Sequence, residues 1–136
     1  MTTYTSRSVA DTARIAQTFA AGLSTGDCVL LSGDLGAGKT TFAAGCLAAL
    51  GVTETVTSPT FSVANVYESA TAGRVIHCDF YRLETAQDLL NTGVYELMDE
   101  AISLIEWGTK IPEVTYTHRI HFSVNNNERT LTISAE

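Results

Sequence analysis

The run Gly33-Asp34-Leu35-Gly36-Ala37-Gly38-Lys39-Thr40 fits the spacing G-x-x-x-x-G-K-[ST]. Those residue types suit the capture of a polyphosphate. Glycines let the main chain bend around an anion and approach it closely. Lys39 brings a point charge to the β- and γ-phosphates, and Thr40 brings a hydroxyl to Mg²⁺. A loop of this kind works only between a strand and a helix N-terminus, where backbone N–H groups and the positive dipole end converge on one point. The sequence provides that setting: Cys28-Val29-Leu30-Leu31-Ser32 predicts a buried strand, and Thr41 to Leu50 predicts a helix. The expected phosphate-binding set is Asp34, Leu35, Gly36, Ala37, Gly38, Lys39, Thr40 and Thr41. A dinucleotide fingerprint fits poorly, because its third glycine would fall at Thr41.

Three further groups could serve the same chemistry. Ile102-Ser103-Leu104-Ile105-Glu106 is an apolar run ending in one carboxylate, which makes Glu106 the expected Mg²⁺ ligand opposite Thr40. Trp107 follows it, suited either to core packing or to a place beside the nucleotide. Ser58-Pro59-Thr60-Phe61 lies between the loop helix and the next strand, where Thr60 either starts that strand or senses a γ-phosphate. In His77-Cys78-Asp79-Phe80-Tyr81-Arg82, Asp79 could orient water, and Arg82 could bind phosphate or pair with Asp79. An isolated histidine such as His77 is more often a satisfied, half-buried residue than a catalyst.

The elements that must hold these groups follow from pattern. Ser8 and Asp11 read as a helix N-terminus, followed by Val9, Ala13, Ala16, Phe19, Ala20 and Leu23 at helical spacing up to a Gly26-Asp27 turn. Gly51 is placed to cap the loop helix. Thr60 to Tyr67 and Arg74 to Phe80 predict a hairpin. Glu84 to Leu90 predicts a short helix interrupted by Gly93, with a further turn or two over 94–99. His118 to Val124 and Arg129 to Ser134 predict a second hairpin, turning at 125–128. The expected fold is α/β: a small P-loop NTPase fold in one domain over 1–136, its mixed sheet flanked by helices and extended by antiparallel hairpins.

Composition narrows the partners. The 136 residues carry eight basic against fifteen acidic side chains, a net charge of −7. The lysines are Lys39 and Lys110, and no basic stripe is present, so tight direct binding to a nucleic-acid backbone is not expected of the chain alone. Leu83 to Thr109 contains no Lys or Arg but holds Glu84, Asp88, Glu96, Asp99, Glu100 and Glu106. That stretch reads as a solvated acidic face or as a docking surface for a basic protein. No segment suggests a membrane span or a signal peptide. Cys28, Cys46 and Cys78 are odd in number and not closely spaced, which argues against a disulfide framework or a zinc site, and they read as buried, reduced thiols in a cytoplasm.

Taken in order, the loop through Thr41-Phe42, Ser58-Pro59-Thr60-Phe61, His77-x-Asp79-x-Tyr81-Arg82-Leu83 and Ile105-Glu106-Trp107 closely resemble the TsaE (YjeE) family over nearly the whole chain. The resemblance implies an ATPase of tRNA threonylcarbamoyladenosine (t⁶A) biosynthesis at adenosine 37. Such a protein acts on a TsaB–TsaD complex and is linked functionally to TsaC. It implies that Lys39 holds phosphates, that Thr40 and Glu106 hold Mg²⁺, that Thr60 and Asp79 belong to a switch-like catalytic region, and that Trp107 lies near the nucleotide. Gly108-Thr109 departs from the family, whose members often have Pro or an acidic residue there. A guanine motif is absent, since Asn125-Asn126-Asn127-Glu128 lacks its Lys and Asp, which leaves ATP by elimination. Two other readings remain open on the residues alone: a non-catalytic ATP sensor, and a small-molecule kinase.

Overall fold

Strand β2 (Cys28–Gly33) is apolar on both faces and buried on both, as a central parallel strand must be. The computed structural model describes residues 1–34, 36–54 and 63–135. Leu35, Ser58, Pro59, Thr60 and Phe61 therefore lie outside the described residues. Elements follow in the order β1 (Thr2–Ser6), α1 (Val9–Ala20), β2, α2 (Lys39–Ala49), β3 (Ala64–Ser69), β4 (Gly73–Asp79), α3 (Ala86–Thr92), a 3₁₀ segment (Tyr95–Glu100), β5 (Ile102–Glu106), a second 3₁₀ turn (Gly108–Lys110), β6 (His118–Asn125) and β7 (Glu128–Ala135). The described strands form one mixed sheet in the order β1-β7-β6-β2-β5-β4-β3. β6, β2, β5 and β4 run parallel, while β3, β7 and β1 add antiparallel pairings at the two sides. This is the expected α/β fold with two hairpins.

Alternation along the strands sends side chains to two cores. One face packs Val29, Leu31, Val75, Leu104 and Ile120 against α1 and α2. The other packs Leu30, Ile76, Cys78 and Ile105 against α3 and the segments around Met98 and Ile111. Phe42 of α2 meets Phe19 of α1 at 5.8 Å and Phe122 of β6 at 5.4 Å between ring centroids. Each such pair adds about 0.5–1.5 kcal/mol beyond area burial. The helices approach so closely that a Cβ on Gly45 would collide with Ala16.

Local signals set the helix ends. Ser8 caps α1 by accepting from the Asp11 N–H at 3.0 Å. Thr85 and Asp88 form a full capping box on α3, which ends at Gly93. Three details differ from the sequence reading. α1 stops at Ala20, ahead of Gly26-Asp27, and leaves a short turn before β2. β1 is unanticipated: its residues are exposed except Ser6, and its strand state comes from pairing with β7. The stretch 95–100 is 3₁₀ rather than α-helix. All three cysteines are buried and free. Burial pushes the Cys28 thiol up to about 12, and raises Cys46 and Cys78 as well.

Candidate functional site

Three parallel strands end side by side. Register pairs Leu31 of β2 with Glu106 of β5, and Glu106 with Asp79 of β4. The loop therefore leaves the sheet beside two carboxylates, although residues 33, 79 and 106 are far apart in sequence. Gly38 has φ 101°, a left-handed turn that a β-carbon would strain, and α2 begins immediately after it at Lys39.

Lys39 is 6 % exposed, and its Nζ donates to the Gly33 carbonyl at 2.8 Å. The same ammonium lies 4.3 Å from the centre of the Trp107 ring. Such a stack holds a cation in place while leaving its other hydrogens for a ligand. Thr40 Oγ1 sits 3.4 Å from each carboxylate oxygen of Glu106. Glu106 is only 5 % exposed, and its Oε2 lies 2.7 Å from Nε2 of the fully buried His77. Asp79 Oδ1 accepts the Tyr81 N–H at 2.9 Å. Trp107 adopts φ 60°, and its ring meets Tyr81 edge-on at 5.1 Å.

A cleft of about 260 Å³ opens among Gly36, Gly38, Lys39, Thr40, Thr41, Asp79, Glu106 and Trp107. Sequence-predicted residues from the loop, β4 and β5 thus meet in one place. Two do not line it. Asp34 points to solvent, and Ala37 is buried with its N–H donated to the Asp34 carbonyl. Leu35 and Thr60 lie outside the described residues. Arg82 is exposed and has no ion pair among the described residues, so Asp79 is not its partner. His77 is fully buried rather than half-buried.

A second cleft of about 280 Å³ lies on the other flank of the loop, shared by Gly36, Gly38 and Thr41 and walled by Ser8, Val9, Thr12 and Arg129. Arg129 also donates to the Gly36 carbonyl at 3.4 Å. The sequence reading missed this wall. Residues 8, 12 and 129 show no shared motif and meet only because β1 pairs with β7.

The donor set fits magnesium. A hydroxyl and a carboxylate are hard oxygen ligands, and Mg²⁺ takes one or two such protein groups and completes its shell with phosphate and water. A polyphosphate entering this cleft would be repelled by its two carboxylates without a cation between them.

A central parallel strand running into a glycine-rich loop and helix, closed by carboxylates at the same sheet end, defines the class: a small mixed α/β domain with the P-loop sequence pattern. Residues 6–133 match the family model described as threonylcarbamoyl adenosine biosynthesis protein TsaE. The chain belongs to the TsaE family, which takes part in t⁶A biosynthesis. It is 36 % identical over 134 residues to the tRNA threonylcarbamoyladenosine biosynthesis protein TsaE of Treponema pallidum, covering 95 % of this chain and 97 % of that protein. It is 35 % identical over 128 residues to the Bacillus subtilis protein of the same name, covering 92 % of this chain and 80 % of that protein. The crystal structure of Bacillus subtilis YdiB superposes with a TM-score of 0.79 at 30 % identity, covering 98 % of this chain and 84 % of that one. Among the described residues no helix is long and apolar enough to cross a membrane.

Proposed function

We propose that this protein binds ATP with Mg²⁺ in the first cleft and hydrolyses it in support of t⁶A formation at adenosine 37 of tRNA. The observation that carries the reading is the convergence of Lys39, Thr40, Asp79 and Glu106 on one cleft at the carboxyl ends of β2, β4 and β5. Lys39 turns from the Gly33 carbonyl toward the β- and γ-phosphates. Thr40 and Glu106 would hold a magnesium ion, which when bound would offset charge on the phosphates and polarise the terminal phosphoryl group. Asp79, at the cleft edge, orients the attacking water. The nucleoside lies across the loop in the second cleft, with Arg129 beside it.

Among the described residues no arginine lines the first cleft, so Lys39 is the one basic side chain there to stabilise the charge that develops on the phosphoryl oxygens, and an arginine from a partner would add to it. Slow hydrolysis alone and faster hydrolysis with the TsaB–TsaD complex follow from this. TsaC stands upstream, as the source of the threonylcarbamoyl group. The acidic charge fits a cytoplasmic protein that reaches tRNA through partners rather than by its own surface.

The test is nucleoside mass spectrometry of total tRNA after depletion of this protein, with rescue by wild type or Lys39→Ala. A fall in t⁶A restored only by wild type supports the reading. Unchanged t⁶A on depletion overturns its pathway part. ATP turnover that is equal with and without TsaB–TsaD overturns the activation part.

A further inference from the structure

His77 has no surface, so it cannot touch a nucleotide, and it does not line either cleft. It sits on β4 opposite Leu104, two residues before Glu106, so His77 and Glu106 leave the same face of adjacent strands. Nε2 and Glu106 Oε2 are 2.7 Å apart. A carboxylate only accepts, so Nε2 carries the proton and donates it. The other ring nitrogen, Nδ1, is buried and has no hydrogen-bond partner among the described residues. A buried polar atom without a partner is costly, and an aliphatic side chain on this face, which β4 and β5 share with Val75 and Leu104, would avoid that cost. The polar function of this imidazole is therefore spent on one oxygen of Glu106.

We infer that His77 is a positioning residue for the cation-binding carboxylate. Its hydrogen bond ties down Oε2 and fixes the plane of the carboxylate. Oε1 is left to face Thr40 and the cleft, ready for the cation. Thr40 is a loose tether at 3.4 Å from both oxygens and cannot fix that plane alone. Outer residues that orient a metal ligand in this way typically control affinity by roughly 10- to 100-fold. The inference rests on the magnesium reading of the cleft.

The side-chain amide of glutamine places an N–H near the position of Nε2, whereas that of asparagine mimics Nδ1, which has no partner here. The experiment is a titration of wild type, His77→Gln and His77→Asn with Mn²⁺ in the presence of ADP, reading free Mn²⁺ by electron paramagnetic resonance. Melting temperature and affinity for a fluorescent ADP in EDTA are measured alongside. We expect His77→Gln to hold Mn²⁺ within roughly threefold of wild type and His77→Asn to bind it roughly 10- to 100-fold more weakly, with metal-free ADP affinity unchanged in both. If His77→Asn does not fold, His77→Phe, which likewise places no donor at the Nε2 position, takes its place. Wild-type Mn²⁺ affinity in the variant without a donor at the Nε2 position, equal losses in that variant and His77→Gln, or failure of both His77→Asn and His77→Phe to fold overturns the inference alone. Absence of Mn²⁺ binding by wild type with ADP overturns the magnesium reading and the inference with it.

Discussion

Where the parallel strands β2, β4 and β5 end, Lys39, His77 and Glu106 are buried and Thr40 is partly buried, and each is bonded in place: Lys39 to the Gly33 carbonyl, Thr40 and His77 to Glu106. On the antiparallel side, the ion pair Arg7–Glu128 joins two side chains that are 69 % and 48 % exposed. The same chemical types therefore carry different weight. A buried polar group has no water to fall back on, so each member of the parallel-side set depends on its neighbours. An exposed pair exchanges its partner for water at little cost. The candidate site and the vulnerable polar set coincide where the parallel strands end, and the strands beyond β6 add a wall of the second cleft and a brace.

The sharpest break of this contrast is Lys39→Ala. Loss of a charge-assisted bond to phosphate, about 1.5–3 kcal/mol, should weaken ATP binding roughly 10- to 100-fold while circular dichroism stays native. A fluorescent-nucleotide titration reads it, and wild-type affinity would contradict the loop assignment. Glu106→Ala comes next. It leaves the buried Nε2 of His77 without an acceptor, at about 1–3 kcal/mol, so thermal unfolding should begin several degrees earlier even without nucleotide. An unchanged melting temperature would mean that the buried set is not interdependent.

The buried thiols give a third test. Their pKa values are raised in the fold, Cys28 from 9.0 to about 12, so folding favours the protonated form. Their contribution is complete below pH 9 and is lost as pH rises from there toward the folded values, by roughly 1 kcal/mol per thiol for each pH unit above 9. Melting temperature should be flat with respect to the thiols up to pH 9 and then fall. Native protein should also resist thiol labelling at pH 8 until it unfolds.

The smaller effects belong to the surface. Thr85→Ala removes the cap of α3 and should cost about 1 kcal/mol in denaturant titration. The Asp88 carboxyl is held below its ordinary 3.8 by the backbone N–H groups of Glu84 and Thr85, so its share of that cap is present above 3.8 and fades as pH falls below it. Arg7→Ala should cost less than about 1 kcal/mol, and a larger loss would erase the distinction between the two sides.

What was legible in the sequence was local. The glycine spacing, the apolar run into Glu106, the turn at 125–128 and the cap at Ser8 each carry their signal within a few residues. β1 was not legible because Thr2–Ser6 has no apolar alternation and becomes a strand only against β7. The tie between His77 and Glu106, and the full burial of His77, were not legible for a similar reason. A lone histidine in an apolar run says nothing of a carboxylate 29 residues further on, and only the β4–β5 register brings them together. Arg129 at the loop is a product of the same long-range pairing.

The position of β2 has a consequence for how the protein is made. The strand that launches the loop is flanked by β5 on one side and β6 on the other, so its partners lie some seventy to ninety residues downstream. Pairings of such span are slow to close, because chain entropy is spent before contact is gained. During synthesis, Gly33 to Thr40 leave the ribosome long before residues 102–125, and until those emerge the loop has no rigid strand behind it and no carboxylate beside it. Nucleotide binding should therefore appear abruptly and late on nascent chains of increasing length, as the last act of folding rather than its seed.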